Sequence, residues 1–317
     1  MNISYLKKYQ PTFYKDFFID EEYITLLNTL QKMNNLNILF IGDSGVGKTS
    51  FIHATIREYY NLEKIPKNNV LFINSLKEQG IHYYRNNLKT FCQTTSSIPL
   101  KKKFIVLDDI DFINEQSQQV FRNCMDKYSH NVHFLISCQN NQKVIDNIQS
   151  RSIIIKLNKI NEKRFNDYFK NIKKKENIKI TKQAEKFLLT ICKFSISKLL
   201  NCLEKFKLYN KNVDLECAKK ICTNISFLDF EKYTNYWIEK DYINSIEVIM
   251  NIYKKGYSVL DILDNYFCFI KITNILEEEI KYKTIKYICK YIETFYCLHE
   301  NEIELAFFTN NLIKNLT

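Results

Sequence analysis

The segment Gly42-Asp43-Ser44-Gly45-Val46-Gly47-Lys48-Thr49 constrains this chain more than any other, because it satisfies G-x-x-x-x-G-K-[ST] at every fixed position. Only five glycines occur in 317 residues, at 42, 45, 47, 80 and 256, and three of them fall in this loop. A backbone that curls round a phosphate needs positive φ and no Cβ in the way, and Gly supplies both. Ile38-Leu39-Phe40-Ile41 ahead of the loop reads as a buried strand, and Ser50-Phe51-Ile52-His53-Ala54-Thr55-Ile56 behind it as the opening turns of a helix. Strand, Gly-rich loop and helix form the context in which the motif holds a nucleotide phosphate rather than making a bare turn. Residues 42–50 are therefore the expected nucleotide contacts, with Lys48 on the phosphates and Thr49 on a Mg²⁺ ion.

Four further short apolar runs follow: Val70-Leu71-Phe72-Ile73, Phe104-Ile105-Val106-Leu107, Val132-His133-Phe134-Leu135-Ile136 and Ile153-Ile154-Ile155. Such runs alternating with helical stretches imply a parallel sheet covered on both faces. Ligands of these sheets bind at the carboxyl ends of the strands, where the phosphate loop already lies. The second of the four runs ends in Asp108-Asp109-Ile110-Asp111, a Walker-B arrangement. Asp108 is expected to hold the Mg²⁺ together with Thr49, and Asp109 to orient or deprotonate the attacking water.

Ser137-Cys138-Gln139-Asn140 follows the third of these runs and places amides where a γ-phosphate would be sensed. Ser150-Arg151-Ser152 precedes the last of them, and Arg151 is either an arginine finger for a neighbouring subunit's nucleotide or an ordinary surface residue. At the amino end, Tyr9 and Pro11 either cover the base of a nucleotide or strap the core. Helical spacing appears over 21–33, and past residue 158 strand signals stop. Segments 161–176, 182–193, 196–208 and 214–223 read as helices, and a second helical block runs from about 228 to 315, with 257–281 as one long amphipathic pattern.

Composition narrows the class. No apolar run approaches membrane-spanning length, and the first residues lack the order of a signal peptide, so an intracellular, soluble protein without a membrane partner is expected. A net charge of +11 favours a polyanion such as nucleic acid, although an AT-rich genome would raise lysine everywhere. The ten cysteines lack C-x-x-C spacing and read as buried, reduced small hydrophobes.

Several motifs in one order resemble the small subunits of replication factor C, the sliding-clamp loader within the AAA+ ATPases. Tyr5-Leu6-Lys7-Lys8-Tyr9-Gln10-Pro11 is similar to that family's W-x-x-K-Y-R-P, and residues 74–81 to its N-A-S-D-x-R-G-I. Residues 118–126 resemble Q-Q-A-L-R-R-T-M-E, and Ile148-Gln149-Ser150-Arg151-Ser152 resembles I-Q-S-R-C. The resemblance implies an α/β AAA+ ATPase domain with a five-stranded parallel sheet over 1–158, a helical lid over 159–225 and a helical collar over 226–317. It further implies ATP and Mg²⁺, a hetero-pentamer with other clamp-loader subunits, a ring-shaped sliding clamp, primer–template DNA and, in a eukaryotic host, a nuclear location. Arg151 becomes the arginine finger in trans, Arg122 a second residue reaching the neighbour's nucleotide, and Arg85 and Lys89 contacts for the DNA backbone or solvated charges.

Departures from the family pattern bear on rate. Its catalytic Glu is Asp109 here, shorter by one methylene, or roughly 1.5 Å. Its sensor Asn aligns with Gln139, and its lid motif G-D-M-R-R aligns with residues 194–198, so the sensor Arg becomes Ser197, with Lys198 beside it as a substitute. The expectation is secure binding of ATP with slow hydrolysis outside the assembly; a largely structural, ATP-binding subunit is the competing reading, and another AAA+ DNA remodeller ranks last.

Overall fold

The computed structural model describes residues 4–17, 21–74, 81–209, 212–223, 225–297 and 299–316. They divide into two compact units, residues 1–175 with 194–204, and residues 176–193 with 205–317.

The first unit holds five parallel strands, β1 (Ile38–Ile41), β2 (Val70–Asn74), β3 (Lys103–Asp108), β4 (Val132–Cys138) and β5 (Ile153–Lys156), in the spatial order β2-β3-β4-β1-β5. These are the five apolar runs read from the sequence. Its helices are α1 (Tyr5–Lys8), α2 (Glu21–Lys32), α3 (Lys48–Tyr60), α4 (Ile81–Gln93), α5 (Glu115–Tyr128), α6 (Asp146–Gln149) and α7 (Glu162–Lys175). Side chains alternate between the two faces of the sheet. Leu39, Ile105, Leu107, Phe134 and Ile136 pack with Leu88, Val120 and Phe121 of α4 and α5. Ile38, Phe40, Phe104, Val106 and Leu135 pack with Leu27, Phe51 and Ile52 of α2 and α3. With both faces covered, each strand reads as a continuous apolar run, and each fully buried large side chain contributes about 1.5–3 kcal/mol.

Strand order positions the chemistry. β4 lies between β1 and β3, so the end of β4 separates the loop after β1 from the carboxylates that end β3. The turn after β3 is tied down by Gln118, which is fully buried on α5. Its Nε2 donates to Ile113 O and Lys143 O at 2.9 Å each, and its Oε1 accepts from Ile145 N at 3.0 Å. One amide thereby joins the β3 turn to the segment entering α6. The Asn114 side chain starts α5 by accepting from Ser117 N at 2.9 Å, one of the groups a helix start otherwise leaves unpaired.

Among its described residues the second unit is helical apart from a bridge between Ile180 and Val213. It contains α8 (Lys182–Cys192) and receives α9 (Ile196–Tyr209) from the first unit at residue 205. After these come α10 (Leu215–Ile221), α11 (Phe227–Ile238), α12 (Tyr242–Tyr253), α13 (Val259–Ile272), α14 (Glu278–Cys297) and α15 (Ile303–Leu316). Its core is aromatic, with Phe230, Tyr233, Trp237, Tyr266 and Phe269 buried together. Their polar tips are satisfied in place: Trp237 Nε1 donates to Tyr266 OH at 2.9 Å, and Tyr233 OH meets Thr309 Oγ1 at 2.9 Å.

One helix reading is corrected. The pattern over 257–281 is interrupted, because Thr273 turns extended (φ −68°, ψ 147°) and ends α13. Its hydroxyl accepts from Ile275 N at 3.3 Å, the local bond through which Thr competes with helical continuation. Leu276 is buried within the break, which keeps the apolar periodicity unbroken while the backbone is not helical. Among the described residues no helix is long and apolar enough to cross a membrane.

Candidate nucleotide site

The phosphate loop takes the backbone its glycines permit. Gly45 and Gly47 have φ of +81° and +100°, a region L side chains rarely enter. A Cβ on Gly42 would lie 2.8 Å from Leu157 O, and one on Gly45 2.5 Å from Ser195 Oγ. A Cβ on Gly47 would meet nothing within 4 Å, so glycine is needed there for its conformation and not for space. Lys48 opens α3 and is 6% exposed. Its Nζ donates to Gly42 O at 2.8 Å and Asp43 O at 3.3 Å, and among the described residues it forms no ion pair. A buried ammonium whose hydrogen bonds go to carbonyl oxygens at a helix start is suited to a phosphate. Asp43 of the same loop pairs instead with Lys159 at 2.7 Å, whose hydrogen bond and charge hold the Asp43 carboxyl below its ordinary value.

The acidic end of β3 is assembled by neighbouring hydroxyls. Thr49 Oγ1 donates to Asp108 at 2.9 Å (Oδ2) and 3.2 Å (Oδ1). Ser137, fully buried at the end of β4, donates to Asp108 Oδ1 at 2.6 Å and accepts the Asp109 N–H at 2.8 Å. A carboxylate beside a hydroxyl is the hard-oxygen set that Mg²⁺ takes alongside phosphates and waters, so these residues fit that ion. Asp109 sits in left-handed backbone (φ +54°, ψ +57°), which Asp and Asn tolerate best after Gly. Burial first, then the charge of Asp108, raises the Asp109 carboxyl above its ordinary value; Lys48 opposes the shift and Asp111 adds to it. Asp111 Oδ2 accepts from Gln139 N at 3.1 Å and Asn140 N at 3.3 Å. The backbone amides of that segment therefore serve to join β3 to β4, and the Gln139 side chain is exposed.

A cavity of about 810 Å³ lies on the other side of the loop, within the size range of small-molecule sites. Tyr9 and Pro11 form part of its wall with Gly45 and Gly47. Ser4 Oγ and Tyr5 N donate to Glu204 of α9 at 3.1 and 3.3 Å, which fixes the start of that amino-terminal segment. Ser197 lines the cavity, whereas Lys198 is exposed and off its wall. Among the wall residues that sequence reasoning missed are Arg164 and Tyr168 on α7 and Phe194 ahead of α9. Phe194 has φ +64°, an outlier for a bulky residue, and its ring meets Phe165 edge-on at 5.6 Å. Phe194 stands where the resembled lid motif has Gly, and that replacement at a left-handed position was a signal present in the sequence.

Arg122 and Arg151 converge on one carboxylate. Arg151 Nε donates to Asp126 Oδ1 at 2.5 Å and its Nη1 to Asn147 O at 2.9 Å. Arg122 Nε lies 3.2 Å from Asp126 Oδ2 as an ion pair. The Arg151 hydrogen bond, with both positive charges, holds Asp126 below the usual carboxylate range. Lys89 is exposed on α4; the Arg85 side chain and the motif residues 75–80 lie outside the described residues.

Comparison with known proteins covers both the domain and the chain. Residues 38–160 match the family model of the ATPase family associated with various cellular activities (AAA). The chain is 26% identical to replication factor C subunit 4 of Saccharomyces cerevisiae across 91% of its own length and 88% of that protein's. It is 27% identical to a replication factor C small subunit of Methanococcus maripaludis, across 88% and 89%. Among solved structures, a DNA polymerase III gamma subunit-related protein from Thermotoga maritima shares the fold, with a TM-score of 0.57 at 15% identity, covering 92% of this chain and 99% of that one. The Thermotoga maritima RuvB branch migration motor aligns over 72% of this chain and 79% of its own, with a TM-score of 0.51 at 11% identity.

Proposed function

We infer that this chain, which belongs to the AAA ATPases and within them to the replication factor C small-subunit family, is an ATP-dependent subunit of a sliding-clamp loader. It is an ATPase that works within a multi-subunit assembly. One observation carries the catalytic part of this reading: the buried Lys48 ammonium, held on backbone carbonyls and without an ion pair among the described residues, beside the Thr49–Asp108 pair.

In the proposed site, residues 42–50 cradle the phosphates of ATP through backbone N–H groups, and Lys48 neutralises their charge. Thr49 and Asp108 would hold Mg²⁺, which would supply positive charge beside the phosphate oxygens. Asp109 orients the attacking water and draws off its proton. Tyr9 and Pro11, on the cavity wall, complete the nucleotide's surroundings, whereas Gln139 and Lys198 are exposed and off that wall; Arg151 and Arg122 serve the site of the adjacent subunit. Companion subunits, a ring-shaped clamp and primer–template DNA are the proposed partners, with Arg85 and Lys89 on the DNA backbone and, in a eukaryotic host, a nuclear site of action. Within the helical residues we assign 159–225 to a lid and 226–317 to a collar that joins subunits.

A largely structural role is favoured by two features, the short Asp109 carboxylate and Ser197 in place of a sensor arginine. Clamp transfer separates the two readings. With companion subunits, labelled clamp and primed circular DNA, loading should require ATP and fall at least tenfold for Lys48→Ala. Undiminished loading by that variant would overturn the motor reading and leave the structural one.

A further inference from the structure

We propose that Asp126 is the positioning residue for both trans-acting arginines, holding them in the geometry in which they meet the neighbouring subunit's nucleotide. The inference rests on the reading of Arg151 and Arg122 given above. Asp126 is on α5 one helical turn beyond Arg122, while Arg151 arrives from beyond α6, so a single carboxylate joins two elements. Arg151 is gripped by a hydrogen bond from its Nε at 2.5 Å, while Arg122 Nε, which makes no hydrogen bond among the described residues, lies 3.2 Å from the other oxygen as an ion pair. Arg151 Nη1 is further anchored on Asn147 O at 2.9 Å and Ser150 Oγ at 3.4 Å, and Arg122 Nη1 donates to Asn123 Oδ1 at 3.3 Å. Among the described residues, Nη2 of neither arginine has a partner, which leaves one amino group on each for an incoming phosphate oxygen.

Two physical reasons favour such a holder. A long Arg side chain loses rotamer freedom when it engages a ligand, and an arginine already fixed loses less. Two guanidinium groups on one surface also repel, and a shared carboxylate between them removes most of that repulsion. The Asp126 side chain is 39% exposed, so it carries no core packing that a substitution would disturb.

Turnover in the assembled complex and a spectroscopic readout on the isolated full-length chain test the proposal together. The chain has five arginines, at 57, 85, 122, 151 and 164, so its ¹⁵N spectrum of Arg Nε–H groups can be assigned by single Arg→Lys variants. Asp126→Ala is expected to shift the Arg151 and Arg122 signals and speed exchange of the Arg151 Nε proton. In the complex it should lower kcat at the adjacent site about tenfold, leave ATP affinity at its own site unchanged, and add nothing to Arg151→Ala. Asp126→Glu should restore most of the rate. If Arg151→Ala lowers turnover and Asp126→Ala does not, the positioning role is overturned while the arginine reading stands. Should neither variant lower turnover, the reading of Arg151 fails and the inference falls with it.

Discussion

Replacing Ser137 by Ala removes one hydroxyl and creates almost no cavity, which makes it a clean perturbation of the acidic centre. The hydroxyl makes two bonds, one to the Asp108 carboxylate at 2.6 Å and one from the Asp109 N–H at 2.8 Å. A hydrogen bond to a charged group is worth about 1.5–3 kcal/mol and a neutral one about 0.5–1.5 kcal/mol. Asp108 keeps its Thr49 bond, and both aspartates are half-buried, so water replaces part of what is lost. The expected loss of stability is therefore about 1–2 kcal/mol, measured by chemical denaturation. Rate should suffer more than stability. Asp109 occupies left-handed backbone at φ +54°, and the Ser137 bond is what its N–H makes there. A displacement near 1 Å in a catalytic group lowers turnover by about 100-fold. We expect a fall of about 10- to 100-fold in ATP turnover by the assembled complex, with Mg²⁺-dependent ATP affinity reduced severalfold. Turnover within twofold of native, with unchanged affinity for Mg²⁺–ATP, would refute the view that β4 organises the acidic pair.

Three further outcomes are expected. Asp109→Glu should raise turnover by about tenfold if carboxylate reach limits the rate, at up to about 1 kcal/mol of stability because Glu tolerates left-handed backbone less well than Asp; an unchanged rate would remove reach as the cause of slow hydrolysis. Phe194→Gly relieves about 1–2 kcal/mol of backbone strain at φ +64° while losing an edge-on ring contact worth about 0.5–1.5 kcal/mol. Its unfolding free energy should stay within about 1 kcal/mol of native, and a loss above about 2 kcal/mol would show that packing outweighs strain. His133 is buried as a neutral ring that accepts from Leu36 N at 3.3 Å, and burial depresses its pKa from 6.5 to about 3. Between those two values the unfolded chain binds the proton and the folded chain does not, so stability falls as pH drops from 6.5 towards 3. The slope from this group approaches 1.4 kcal/mol per pH unit, and His133→Gln should flatten the measured pH dependence by about that amount.

The five strands were legible because a parallel strand covered on both faces can only be apolar, and the phosphate loop because its glycines answer to backbone geometry. The place of Asp108 was legible too, since a carboxylate that closes an apolar strand after such a loop stands at the loop's side of the sheet, where Thr49 meets it. What escaped was set by contacts between distant segments. Ser195 lies against Gly45, Arg164 and Tyr168 reach the cavity from the polar side of α7, and Asp126 gathers arginines 25 and 4 residues away. Periodicity reports which face of a helix is buried and says nothing of what its polar face meets. The break at Thr273 was hidden because Leu276 stays buried through it, so the apolar spacing continued where the helix did not.

The central claim is that this chain binds ATP through Lys48 and hydrolyses it at a useful rate only in the assembly. The most direct measurement is ATP turnover by the native chain and by Lys48→Ala, each alone and with companion subunits, clamp and primed DNA. Slow turnover by the isolated native chain is predicted, with stimulation on assembly that is partly lost in the variant. Fast turnover by the isolated chain, or stimulation that Lys48→Ala leaves intact, would contradict it.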